Sequence, residues 1–199
     1  RSISRNTVDQ AAAIGVPRVT QLLEHAEREG RRASAAAGRP GPSSSISMTA
    51  KSVSARMLAR EADLTEPQRQ EMSSAALGVL KDPQFAEVFG PGSRPEVSLV
   101  GSSSRLPRGV NYSGKVDRLL VLPDRVLVVD FKSNRPAPAR IEDTDPAYLR
   151  QMAIYAEILG EIFPGRRIEA ALVWTDGPRL MQLPENLLAQ TVASLSGGH

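Results

Sequence analysis

The sequence predicts an α/β protein in which a mixed central sheet is flanked by helices and preceded by a helical amino-terminal region. Residues 112–132, YSGKVDRLLVLPDRVLVVDFK, hold two apolar runs interrupted only by Pro123-Asp124, the pattern of an antiparallel hairpin. Residues 146–163 carry helical periodicity behind an Asp-Pro start, so they supply a crossover from that hairpin to a further strand at 168–175. Layers of this kind bury one sheet between helices. The apolar share of 41% is enough for a core, but aromatic residues make up only 4%, so Leu, Val and Ala must fill it.

A chain of 199 residues suits one compact domain with some excess. The expected division is a helical segment at 1–64, with a mobile linker at 30–47, followed by the core at 65–199. A formal charge of +3 and an isoelectric point near 9.6 permit a polyanionic partner without demanding one. There is no cysteine, which excludes disulfides, thiolate-held zinc and iron-sulfur clusters. No apolar run reaches the roughly 18 residues of a membrane span, and no signal peptide is visible, so a cytoplasmic protein is expected. Arg1 in place of an initiating Met fits a fragment of something longer.

The first sixty residues are the least informative. Thr7 to Ala13 reads as helical, and Val19, Leu22, Leu23 and Ala26 recur at helical spacing behind Pro17, giving a helix to about Glu29. From Gly30 to Ser47 the composition turns to Arg, Ala, Ser, Gly and Pro without period, a solvated linker. Met48 to Ala62 and Thr65 to Leu80 read as helices. The second has a capping-box start, Thr65-Glu66-Pro67-Gln68, and an apolar stripe of Met72, Ala75, Ala76, Val79 and Leu80. Asp82-Pro83 starts a short helix through Val88, ended by Gly90-Pro91-Gly92. Glu96 to Val100 alternates as an edge strand, with Pro95 tolerated at its start. Glu96 lies near the acids described next or pairs with Arg94 or another surface cation, and the ion pair is the plainer account.

The hairpin follows. Pro presets φ and Asp bonds its own backbone, so Pro123-Asp124 makes a two-residue turn. Leu122 then faces Arg125, and the same register sets Asp117 directly across from Asp130. Opposed residues have Cβ atoms about 4.5 to 5.5 Å apart, and like charges at that distance are destabilising. Lys132 shares the face of Asp130, while Phe131 points away. A hard divalent cation bound through oxygen stabilises such a pair, as Mg²⁺ is held by one or two carboxylates, and the Phe131 carbonyl is a further donor. The alternative is a strand-end salt bridge from Asp117 to Arg118 or Lys132. An Asp-x-Lys tripeptide by itself favours that bridge; the opposed acid and the buried flank favour the metal.

After Lys132 the run Ser133-Asn134-Arg135-Pro136-Ala137-Pro138 leaves the sheet as a stiff loop, placing Arg135 and Arg140 where a phosphate backbone can meet them. Asp145-Pro146 caps a helix to Phe163 with Leu149, Met152, Ala153, Ala156 and Leu159 as its buried stripe. Gln151 and Tyr155, at i and i+4, share a face beside it. Spacing alone makes them a half-buried flank. Strands at 168–175 and 179–183 joined at Asp176-Gly177, then a helix from Pro184 to Leu195, complete the chain. Trp174 belongs to the core.

Gly114-x-x-Asp117, then Asp130-Phe131-Lys132-Ser133-Asn134, then Gln151-x-x-x-Tyr155 resembles the motif series of RecB-like PD-(D/E)XK nucleases. The wording VDRLLVLPDRVLVVDFKSNRPAP and YLRQMAIYAEIL more closely resembles the carboxy-terminal nuclease domain of AddA-type helicase-nuclease subunits, over roughly 83–195. The resemblance implies a restriction-endonuclease-like core and a Mg²⁺-dependent (or Mn²⁺-dependent) deoxyribonuclease. Its metal ligands would be Asp117, Asp130 and the Phe131 carbonyl, and its catalytic groups Asp117, Asp130 and Lys132. Gln151 and Tyr155 would contact DNA or order the catalytic groups, with Arg135 also on the DNA. The partners implied are DNA, an AddB-type subunit and the helicase part of a longer chain. VPRVTQLLEHAE resembles the family's histidine-bearing helix, but Thr20 stands where the metal-binding histidine is expected. His25, at i+5, projects elsewhere. That departure keeps a second reading open, a silent nuclease fold that binds DNA or a partner as a scaffold. A Holliday-junction or restriction-type enzyme is a third. No Gxxxx-GK[ST] loop is present, so this chain by itself is no ATPase.

Overall fold

A computed structural model of the chain describes Glu29 and residues 65–90, 92–132, 134, 136–174 and 179–196. The helices expected before residue 65, the 30–47 linker, Thr20, His25, Ser133, Arg135 and the 176–177 turn lie outside these described residues. The chain divides into two compact units. One comprises residues 1–89, 132–137 and 174–179; the other comprises 90–131, 138–173 and 180–199.

Within the first unit, helix α1 spans Glu66–Lys81, where the capping-box pattern placed it. The Arg69 N–H reaches the Thr65 carbonyl at 3.0 Å, closing the first turn, and Glu66 takes hydrogen bonds from Arg69 and Gln70 on the exposed side. Val79, from the predicted apolar stripe, is fully buried. The segment expected as a short helix through Val88 is instead a 3-10 turn at Pro83–Phe85 followed by bends. Asp82 caps it by accepting the Gln84 N–H at 3.0 Å. With Pro at the start and Gly90 soon after, too few residues remain to propagate an α-helix, yet Phe85 and Val88 are buried.

The five-stranded sheet follows chain order: β1 (Ser93–Gly101), β2 (Tyr112–Val121), β3 (Arg125–Lys132), β4 (Arg167–Trp174) and β5 (Arg179–Leu183). Strands β1, β2 and β3 are antiparallel neighbours. The central strands are rich in Val and Leu because both of their faces are covered; Val126 to Phe131 is buried without interruption. The turn is the two-residue loop expected, with the Leu122 N–H on the Arg125 carbonyl at 2.8 Å. That end is also fastened to the start of β4. Arg166 Nη1 donates to the Leu122 carbonyl at 2.9 Å, the Arg167 N–H to the Asp124 carbonyl at 3.1 Å, and Arg125 pairs with Glu169 at 2.6 Å.

Helix α2 (Pro146–Ile162) carries the chain from β3 to β4. Asp145 caps it as the sequence predicts, accepting the Ala147 N–H at 2.8 Å ahead of Pro146. Its buried face is Met152, Ala153, Tyr155, Ala156, Ile158 and Leu159. Two glycines admit it to the sheet: a Cβ on Gly101 would lie 2.6 Å from Ile158 Cγ2, and one on Gly114 would run into the Tyr155 ring. Helix α3 (Glu185–Ser196) packs along α2 through Leu188 and Val192. A 3-10 turn at Ile141–Asp143, which the sequence pattern did not announce, leads into α2; beside it buried Thr144 donates to Met181 Sδ at 3.4 Å.

Candidate functional site

The hairpin fixes the site. Pairs Val121–Val126, Leu120–Leu127, Leu119–Val128 and Arg118–Val129 form the β2–β3 ladder, and the next rank in that register is Asp117 with Asp130. There the ladder stops, and the Asp117 carboxylate accepts the Phe131 N–H at 2.7 Å. On its other side β2 pairs with β1 through Arg118–Pro95 and Val116–Val97, and the rank between them, Asp117 with Glu96, is skipped. Three acidic residues, Glu96, Asp117 and Asp130, thus occupy one rank across three neighbouring strands.

Glu96 is also the backbone outlier, with φ at 51° inside a strand. Left-handed backbone costs a non-glycine residue roughly 1 to 2 kcal/mol. Its carboxylate pairs with Lys115 at 2.5 Å, but both side chains are about half in water. An ion pair so exposed is worth at most about 1 kcal/mol, so the pairing does not fully offset the strain. Sequence reasoning weighed a place near the acids against an ion pair with Arg94 or another surface cation; Glu96 shares the rank of the acids, and the cation is Lys115. The residues 102–111 that join β1 to β2 form a long polar loop, which leaves the register of β1 unset.

Tyr155 ties α2 to β2 at the same place. Its hydroxyl donates to the Lys115 carbonyl at 3.3 Å and accepts from Gln151 Nε2 at 3.2 Å. The side chain is 7% exposed. Burial raises its pKa above the usual phenol value; the charges of Asp130 and Asp117 push the same way, against the Gln151 N–H. A Cβ at Gly114 would point into the Tyr155 ring, so by strand alternation Asp117, and Asp130 opposite it, lie on the other face from that contact, and their charges reach the hydroxyl through the strand. Gln151 and Tyr155 are joined to each other across one helical turn, as i,i+4 spacing allows.

Asp130 is only 5% exposed, and Asp117 is half-buried. Lys132 ends β3 two positions after Asp130, at the alternation that puts both on one strand face, and is 9% exposed. A carboxylate this deep requires hydrogen bonds or a counter-charge. Two oxygen donors on adjacent strands match the ligand chemistry of a hard divalent cation that keeps several waters. Among the described residues no group of three or more His, Cys, Asp or Glu is placed to hold a metal. The residues present offer such a cation two carboxylates from neighbouring strands.

Arg140 is exposed and engaged by Asp143 at 3.4 Å, which with Glu142 raises its pKa. Tyr148 is half-buried and Arg150 exposed on α2. A groove of about 400 Å³ is lined by Arg105, Ala156, Glu157, Arg166, Leu188 and others, but its lining includes neither acid. Among the described residues no helix is long and apolar enough to cross a membrane.

No curated protein matches the chain. Among solved structures the chain is similar to one titled "Crystal structure of SSO0001", at 15% identity and a TM-score of 0.35, with 65% of each chain covered. The chain thus spans just under two thirds of that structure's length. The model of one family, described as the PD-(D/E)XK nuclease superfamily, matches residues 10–189, nearly the whole sequence. With its α/β sheet and the acid pair at the β2–β3 hairpin, the chain belongs to the PD-(D/E)XK nuclease superfamily.

Proposed function

We propose that this domain hydrolyses phosphodiester bonds of DNA with a divalent cation, Mg²⁺ or Mn²⁺. The observation that carries this reading is the rank shared by Asp117 and Asp130 at the end of an otherwise apolar hairpin. Like charges so placed are unfavourable unless something positive joins them. Asp117, Asp130 and the Phe131 carbonyl would hold the cation. When bound there, it would lower the pKa of a water and polarise the scissile phosphate. Lys132, on the same strand face as Asp130, would orient the attacking water or balance charge gathering on the phosphate oxygens. Water oxygen bonds to phosphorus as the bridging P–O bond breaks, and the departing alkoxide takes up a proton. Gln151 and Tyr155 support the site by ordering β2: the Tyr155 hydroxyl is spent on the Lys115 carbonyl, two residues from Asp117.

We further infer that the domain serves a helicase-nuclease in double-strand-break repair, with DNA, a motor segment and an AddB-type subunit as partners. The support is the AddA-like wording of residues 116–138 and 148–159. The test is cleavage of linear single- and double-stranded DNA with Mg²⁺ or Mn²⁺, comparing the wild type with Asp130→Ala. Metal-dependent cutting that Asp130→Ala abolishes supports the enzyme. A specific observation favours the second reading, a scaffold: Asp130 is nearly closed to solvent, and the described residues offer no third carboxylate ligand. DNA retention without cutting by the wild type would decide for it.

A further inference from the structure

We propose that Lys115 is a phosphate-binding residue of this site, meeting the nucleic-acid backbone beside the carboxylate pair, and that Glu96 stands in for the phosphate when nucleic acid is absent. The inference rests on the nuclease reading and adds a contact which that reading does not use.

Three observations carry it. Lys115 is two residues before Asp117 on β2, so strand alternation puts both on one face, opposite the face on which Gly114 receives the Tyr155 ring. Its main chain is fixed from two directions, by pairing with Ser98 on β1 and by the Tyr155 hydroxyl on its carbonyl. A lysine stem on a fixed backbone delivers its ammonium to one place, and the side chain is 54% exposed, open to an incoming ligand. The anion now against that ammonium is the carboxylate of Glu96, reached from left-handed backbone. Strained residues gather where the arrangement serves binding or switching, and this one holds an acceptor where a phosphate oxygen would sit.

Lysine recognises phosphate as a point charge, and an exposed carboxylate partner is readily exchanged. The ligand class is therefore a polyanionic strand whose neighbouring phosphate displaces Glu96 while the scissile one approaches Asp117 and Asp130. Glu96 then tempers affinity: it competes for the ammonium and repels the backbone that replaces it.

The test is fluorescence anisotropy of the full chain with a labelled single-stranded oligonucleotide, in EDTA so that no cleavage intervenes, across a series of NaCl concentrations. Wild type should bind; Lys115→Ala should bind more weakly at low salt and lower the slope of log K against log salt by about 0.7 to 1. Lys115→Arg should restore both, and Glu96→Gln should bind more tightly than wild type. A wild-type slope in Lys115→Ala, with the wild type binding normally, overturns this inference and leaves the nuclease reading standing. Weakening by Glu96→Gln to the level of Lys115→Ala also overturns it, since Glu96 would then only brace the strand. A wild type that neither binds nor cuts overturns both readings.

Discussion

The ring of Tyr155 rests against the bare Cα of Gly114. A Cβ built there would lie 2.8 and 2.9 Å from Cε1 and Cζ and closer still to the hydroxyl oxygen. The first glycine of the hairpin motif is therefore the seat of the tyrosine that follows some forty residues later, and α2 meets β2 through that pair. Gly114→Ala should destabilise the fold by about 1 to 3 kcal/mol through overpacking. Urea unfolding checks this, and pairing the change with Tyr155→Ala should cost less than the sum of the two.

The buried phenol gives an alkaline signature. Burial, seconded by Asp130 and Asp117, raises the Tyr155 pKa in the folded protein. The unfolded chain therefore loses this proton first, at about pH 10, and the folded state holds more protons above that point. Stability owed to the neutral hydroxyl is complete below about pH 10 and falls as pH rises beyond it. Urea midpoints measured across this range should drop for the wild type and drop less for Tyr155→Phe. Tyrosinate absorbance should show a component titrating above the ordinary phenol range that Tyr155→Phe removes.

Asp117 has two duties that substitution can separate. Asp117→Ala strands the Phe131 N–H, which Oδ2 now accepts at 2.7 Å, and should cost about 1 to 3 kcal/mol. Asp117→Asn keeps an acceptor oxygen and should melt near the wild type, while losing any stabilisation by Mg²⁺ or Mn²⁺. Thermal unfolding with and without the cation checks both outcomes. Equal melting of the two variants would remove the structural duty.

Helix α2 begins at a single carboxylate. Asp145→Ala removes the acceptor for the Ala147 N–H and should cost about 1 kcal/mol, whereas Asp145→Ser should recover most of it. Chemical denaturation of the three proteins measures the difference.

What the sequence disclosed followed from local rules. A two-residue Pro123-Asp124 turn admits one register, so the Asp117–Asp130 rank was readable before any coordinates. Asp145-Pro146 announced α2 in the same way, because cap and first-turn proline act within a few residues. The loop from 102 to 111 carries no such rule. The rank of Glu96 and its ion pair with Lys115 depend on how β1 slides against β2, which the buried alternation of Leu99 and Val116 fixes only in three dimensions. The Tyr155–Gly114 contact was hidden for a related reason: helical spacing marks Tyr155 as a flank, but nothing in the helix says which strand it will meet.

The Phe131 amide has a carboxylate for its acceptor where a neighbouring strand would ordinarily offer a carbonyl. Whatever claims Asp117, a proton or a cation, must loosen or redirect that one bond. Deuterium uptake at Phe131 should therefore track occupancy of the acid even with no nucleic acid present, turning a gap in the ladder into a built-in gauge of the site's charge.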